Sequence, residues 1–166
     1  MMKLRLLIPA VAFAATFGTL TLSPSTAHAH CQVPCGIYGD ENRFEAMLED
    51  QSTIAKASAE LEKYAGEISG NVTALSLNQA ARWVATKEEH ATHIQEVIAA
   101  YFMAQRLKPG DDQDAYVKKL TAAHAVMTAA MKAKQDTSAE VAEALKTSIL
   151  EFYQAYTGEE YQPHSH

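Results

Sequence analysis

The chain has 166 residues, about one domain's worth, with 48% hydrophobic residues and a formal charge of -6. An acidic chain with scattered Lys and Arg is a poor counterion-releasing partner for nucleic acid. Beyond the first 29 residues no apolar run reaches the roughly 18 that a membrane span needs, so nucleic-acid binding and stable membrane insertion of the mature chain are both disfavoured.

The first element in chain order is a leader. Lys3 and Arg5 precede an apolar run from Leu6 to about Leu22, followed by Pro24 and by Ala27-His28-Ala29, the pattern that signal peptidase cuts. Residues 1–29 are therefore expected to be removed on export to the periplasm or the extracellular space, leaving a mature domain of 30–166 that begins at His30. Its loss takes two cations and no anions, so 12 Lys and Arg face 20 Asp and Glu, a charge of -8. What remains is long enough for one sizeable core.

A hook containing Pro and Gly occupies 30–40. After it the chain has almost no strand vocabulary, and widely spaced breakers divide it into four predicted helices. The first runs over about 42–69, with Phe44, Met47, Leu48, Ile54, Ala57, Leu61, Ala65 and Ile68 as its apolar stripe, and stops at Gly70-Asn71. The second spans about 77–107, carries Ala81, Val84, Ala91, Ile94, Val97, Ile98, Tyr101 and Phe102 on one side, and ends at Pro109-Gly110. The third, about 113–134, follows Asp111-Asp112 and carries Val117, Leu120, His124, Met127 and Met131. Ser138 is the expected N-cap of the fourth, about 139–157, which carries Val141, Leu145, Ile149, Phe152, Tyr153 and Tyr156, with Gly158 beyond its end. Short breaks between long amphipathic helices predict an all-α, up-down four-helix bundle. His164 and His166 fall in a short tail.

Chemistry is concentrated in the hook, His30-Cys31-Gln32-Val33-Pro34-Cys35-Gly36-Ile37-Tyr38. Cutting after Ala29 turns the nitrogen of His30 into a primary amine, which can bind a metal. From that amine to the Cys31 nitrogen a bound ion closes a five-membered ring, and from the Cys31 nitrogen to its own sulfur it closes another. Cys35 can return a second thiolate, because Pro34 restricts the backbone and Gly36 permits a close turn. The His30 imidazole could sit above the plane of these donors. Amine, ionised amide and two thiolates form a planar strong-field set suited to Ni(II) or Cu(II), unlike the tetrahedral set that zinc prefers. Thiolates tend to reduce Cu(II) but bring the Ni(III)/Ni(II) couple into range, which favours nickel.

Two rival readings stand beside this one. A Cys31–Cys35 disulfide is the ordinary expectation for two cysteines in an exported protein, and would leave a structural bundle. An exported, non-catalytic nickel- or copper-binding helical protein would use the same hook as a carrier. His-Cys at the start of the mature chain, continued by Pro-Cys-Gly-x-Tyr, is more than a staple needs and shifts the balance to a metal site. On the second helix, His90 and His93 stand three apart, a spacing compatible with a bundle metal site, but no matching Glu-x-x-His recurs.

His-Cys-x-x-Pro-Cys-Gly-x-Tyr at a processed N-terminus followed by four helices resembles the nickel superoxide dismutase family. The similarity extends to Asn78-Gln79, Arg82-Trp83, Lys87-Glu88-Glu89-His90-Ala91 and the run Tyr101 to Pro109. The resemblance implies dismutation of superoxide to oxygen and hydrogen peroxide through a Ni(III)/Ni(II) cycle, with one nickel ion per subunit of a homohexamer. It implies that His30 gives its amine and an axial imidazole, Cys31 its amide nitrogen and thiolate, and Cys35 a second thiolate, with Tyr38 near the open face of the metal. Glu45 is the expected carboxylate partner of the His30 ring, and His90 stands where some members place an arginine near that imidazole. The leader departs from the short leader of cytosolic members, so signal peptidase is the expected maturation enzyme. Lys87, Arg43 and Lys108 are the cations that could steer an anionic substrate against the net charge.

Overall fold

The computed structural model describes residues 39–163, and its helices pack as a four-helix bundle. α1 covers Glu41–Gly70, α2 Ala74–Glu96, α3 Gln113–Gln135 and α4 Ala139–Thr157, and α2 runs directly into a π-helical stretch, Val97–Arg106. α1 packs against α2 and α4, and α3 against α2 and α4, so elements adjacent in the chain are adjacent in space.

Local chemistry fixes the ends. The Thr73 hydroxyl accepts from the Ser76 amide at 3.0 Å while the Ser76 hydroxyl accepts from the Thr73 amide at 3.0 Å. This reciprocal cap starts α2 at Ala74, ahead of the Leu77 suggested by apolar spacing. The Asp112 carboxylate accepts from the Ala115 amide at 2.9 Å and opens α3. Between α3 and α4 the Asp136 carboxylate accepts from the Ser138 amide at 2.7 Å. Ser138 occupies the N-cap of α4, but its own side chain caps no amide. Gly158, at φ 83°, closes α4 in the left-handed conformation.

The core is aromatic at one end and aliphatic along its length. Phe44, Phe102 and Phe152 are fully buried, with ring centroids 4.8 to 5.2 Å apart, and Tyr153 and Tyr156 pack edgewise or tilted against them. Met47, Ile54, Ile94, Ile98, Val126, Leu145 and Ile149 continue the core away from that cluster.

Two predicted faces differ from the observed ones. On α3 the buried residues are Ala123, Val126, Ala130 and Ala133, while Val117, His124 and Met131 are exposed and Leu120 and Met127 lie at the margin. The buried face is the bulky stripe displaced by one residue, about 100° around the helix. Small side chains face inward there and let the α3 backbone approach its neighbours. At the α1–α2 hairpin, Ala65, Leu77, Ala81 and Val84 are exposed and Leu61 and Ile68 only half-buried. With 30 residues against 19 in α4, α1 is about 45 Å long against about 29 Å, and its far end overhangs the shorter pair.

Lys87 is a correction of another kind. It is 3% exposed, and its ammonium donates to the carbonyls of Ala133 (2.8 Å), Lys134 (2.8 Å) and Asp136 (3.0 Å). It therefore satisfies the last carbonyls of α3 and steers nothing. Lys87→Met should lower stability by about 2 kcal/mol by leaving those acceptors unmatched, read as a lower urea midpoint at unchanged slope. An unchanged midpoint would contradict the capping role.

Candidate functional site

The hook residues His30, Cys31, Cys35 and Tyr38 lie outside the described residues, as do the leader and the tail residues His164 and His166. The described chain begins at Gly39, and the next residue, Asp40, is the polar centre of that end of the bundle. One carboxylate oxygen accepts from the Tyr101 hydroxyl at 2.5 Å; the other accepts from the Tyr156 hydroxyl at 2.6 Å and from Arg106 at 2.7 Å.

Two of those three donors, Tyr101 and Arg106, lie on the π-helix. Its Leu107 amide bonds the Phe102 carbonyl at 2.8 Å, five residues back, and this register brings residues five apart onto one face. Tyr101 and Arg106 are five apart. In an α-helix they would be separated by about 140° around the axis. Burial alone would raise the Asp40 carboxyl, but the hydrogen bonds from Arg106, Tyr101 and Tyr156 outweigh it and hold the group below its ordinary value. Burial, then the bond to Asp40, pushes the Tyr101 phenol up to about 12.

A second carboxylate joins α1 to α2. Asp50, 7% exposed, meets the Nδ1 of His90 through one oxygen and the Nδ1 of His93 through the other, each at 2.6 Å. The carboxylate acts as acceptor, so each ring turns its Nδ1–H inward, leaving Nε2 as the outward nitrogen of the neutral form. Glu45 is half-buried on α1 and lines a groove with Leu48, Glu49, Ser52 and Tyr161. The structure thus places Glu45 and His90 with different neighbours. Among the described residues no group of three or more His, Cys, Asp or Glu is placed to hold a metal ion.

Sequence reasoning missed both Asp40 and Asp50. A signal existed for Asp50, which falls in phase with Met47 and Ile54 on the buried stripe of α1, where an acidic residue calls for a partner. Asp40 had none, because its donors stand 61, 66 and 116 residues away.

Residues 25–160 match the nickel-containing superoxide dismutase family. The chain belongs to that family. The match takes in the whole hook as well as the four helices, and family membership makes the protein an oxidoreductase whose implied reaction is superoxide dismutation at nickel. Comparison with curated proteins and with solved structures gave no significant match. The donors that the sequence offers in the hook, the His30 amine, the Cys31 amide nitrogen and the Cys31 and Cys35 thiolates, would be strong-field ligands of the kind that Ni(II) accepts. No described helix is long and apolar enough to cross a membrane.

The raised Tyr101 phenol fixes the sign of an alkaline effect. Its contribution to stability is fully present below its unfolded value of 10.0 and is lost as pH rises through about 12. The stability gap between wild type and Tyr101→Phe should therefore narrow across that window in urea titrations run at successive pH values. A gap independent of pH would contradict the bond to Asp40.

Proposed function

We propose that this chain dismutates superoxide at a nickel ion held by its processed N-terminus, one ion per subunit. His30 supplies its amine and imidazole, Cys31 its amide nitrogen and thiolate, and Cys35 the second thiolate. The observation that carries this reading is the family match over 25–160, which includes every one of those donors. Bound there, nickel supplies a one-electron Ni(III)/Ni(II) couple. The reaction balances as two superoxide anions and two protons giving one oxygen and one hydrogen peroxide.

The chain's own residues supply selection and positioning. Tyr38 narrows the approach and holds substrate or water through its hydroxyl, and hook amides donate to the anion. Glu45 accepts from the His30 ring and orients it, while His90, oriented in turn by Asp50, belongs to the outer shell. A body of charge -8 repels superoxide, so approach relies on local cations. Lys108 is exposed just beyond the π-helix, and the Arg43 guanidinium lies 5.1 Å from the centre of the Tyr101 ring; both stand at the end where the hook joins the bundle.

Signal peptidase, cutting after Ala29, exposes the His30 amine and makes export and maturation one event, with the enzyme acting in the periplasm or outside the cell. The subunits assemble as a homohexamer, for which the exposed Val72, Leu75, Leu77 and Val84 at the hairpin end offer apolar contact area. Nickel-loaded mature protein should accelerate superoxide decay in stopped flow, and Cys31→Ser or Cys35→Ser should return it to the uncatalysed rate. Decay indifferent to both substitutions would contradict the ligand assignment.

A further inference from the structure

Asp40 occupies the N-cap of α1, where an aspartate ordinarily accepts from an amide of the first turn and contributes about 1 kcal/mol to the helix. Here it makes no such bond. Both oxygens turn instead to Tyr101 and Arg106 of the π-helix and to Tyr156 of α4. A local cap has been given up for three tertiary bonds. The donors are themselves held firmly: the Tyr101 ring stands edge-on to Phe102 with centroids 5.2 Å apart, and the Tyr156 ring packs on Phe44, Phe102 and Phe152 at 5.3 to 6.0 Å.

The place of this node in the chain gives it a further role. Only Gly39 separates Asp40 from Tyr38, and Cys35 is five residues before it. A chain spans at most about 3.6 Å per residue, so the Cys35 Cα is tethered within about 18 Å of the Asp40 Cα and that of Tyr38 within about 7 Å. Wherever Asp40 is fixed, the departure point of the hook is fixed with it.

We propose that Asp40 is a positioning residue for the nickel centre: held by Tyr101, Arg106 and Tyr156, it sets where the metal-binding hook leaves the bundle. The proposal rests on the reading that the hook ligates nickel. Preorganising the root lowers the entropy cost of gathering four donors on one ion, so loosening it weakens metal retention beyond any general loss of stability.

The test compares nickel-loaded mature wild type with Asp40→Ala, Tyr156→Phe and Lys87→Met. It reads nickel retention against a competing chelator, the thiolate-to-nickel charge-transfer band, and thermal unfolding of the metal-free proteins. Lys87→Met is the stability control, since Lys87 caps α3 at the opposite end of the bundle. Asp40→Ala should retain nickel on the order of tenfold less tightly, as losses of outer partners do, with a shifted band. Tyr156→Phe, which keeps the aromatic packing and removes one donor, should move both in the same direction by less, and carries the test if Asp40→Ala does not fold. Lys87→Met should unfold earlier with wild-type retention and band. Wild-type retention and band in Asp40→Ala and Tyr156→Phe, or losses that merely track stability as in Lys87→Met, would overturn the anchor. A wild type with no thiolate-to-nickel band would overturn the ligand reading beneath it, a result distinct from a band that is present and indifferent to Asp40.

Discussion

Two phenols and a guanidinium converge on the Asp40 carboxylate, and the hook end of the bundle is organised around that convergence. Left alone, a carboxylate that is four-fifths covered would be costly to keep ionised; three donors reverse the balance and make it a joint between α1, the π-helix and α4. The joint takes two of its donors from the π-helix, whose register sets Arg106 nearer the face of Tyr101 than the 140° of an ordinary helix would. It explains why the aromatic rings gather at this end, since they hold the two phenols in place.

The opposite end is arranged differently. Lys87 closes α3 there by donating to its final carbonyls, and the α1–α2 hairpin extends past the shorter α3–α4 pair with apolar residues exposed. Between the ends, Asp50 couples the helices by taking both His90 and His93. Each of these three polar links spans two or more helices. Together they fix the register of a bundle whose α3 interface is built largely from alanine, which has little shape of its own to specify alignment.

Helix number, order and most limits were legible because signals such as Gly70-Asn71, Pro109-Gly110 and the Ser138 N-cap position act locally. The Thr73-Ser76 cap was also local, but an apolar count that began at Leu77 passed over it. The inward face of α3 was not legible, since bulky residues dominate a periodicity count whereas close helix approach selects small ones. Lys87 read as a surface charge because its three acceptors lie 46 to 49 residues away. For the proposed site, the capacity of His30, Cys31 and Cys35 to bind a metal is an argument from adjacent bonded atoms, on residues outside those described. The group of Asp40, Tyr101, Arg106 and Tyr156 was not legible, because it forms only when the chain folds.

The proposed centre depends on one atom, the nitrogen of His30, which a cut after Ala29 would turn into a primary amine. Superoxide decay in stopped flow, measured for nickel-loaded protein beginning at His30 and for the same protein carrying one extra alanine ahead of it, tests that atom directly. Catalysis should be fast in the first and absent in the second, because the added residue returns the nitrogen to a peptide bond. Equal catalysis in both would contradict the amine as ligand, and catalysis in neither would contradict dismutation at this site.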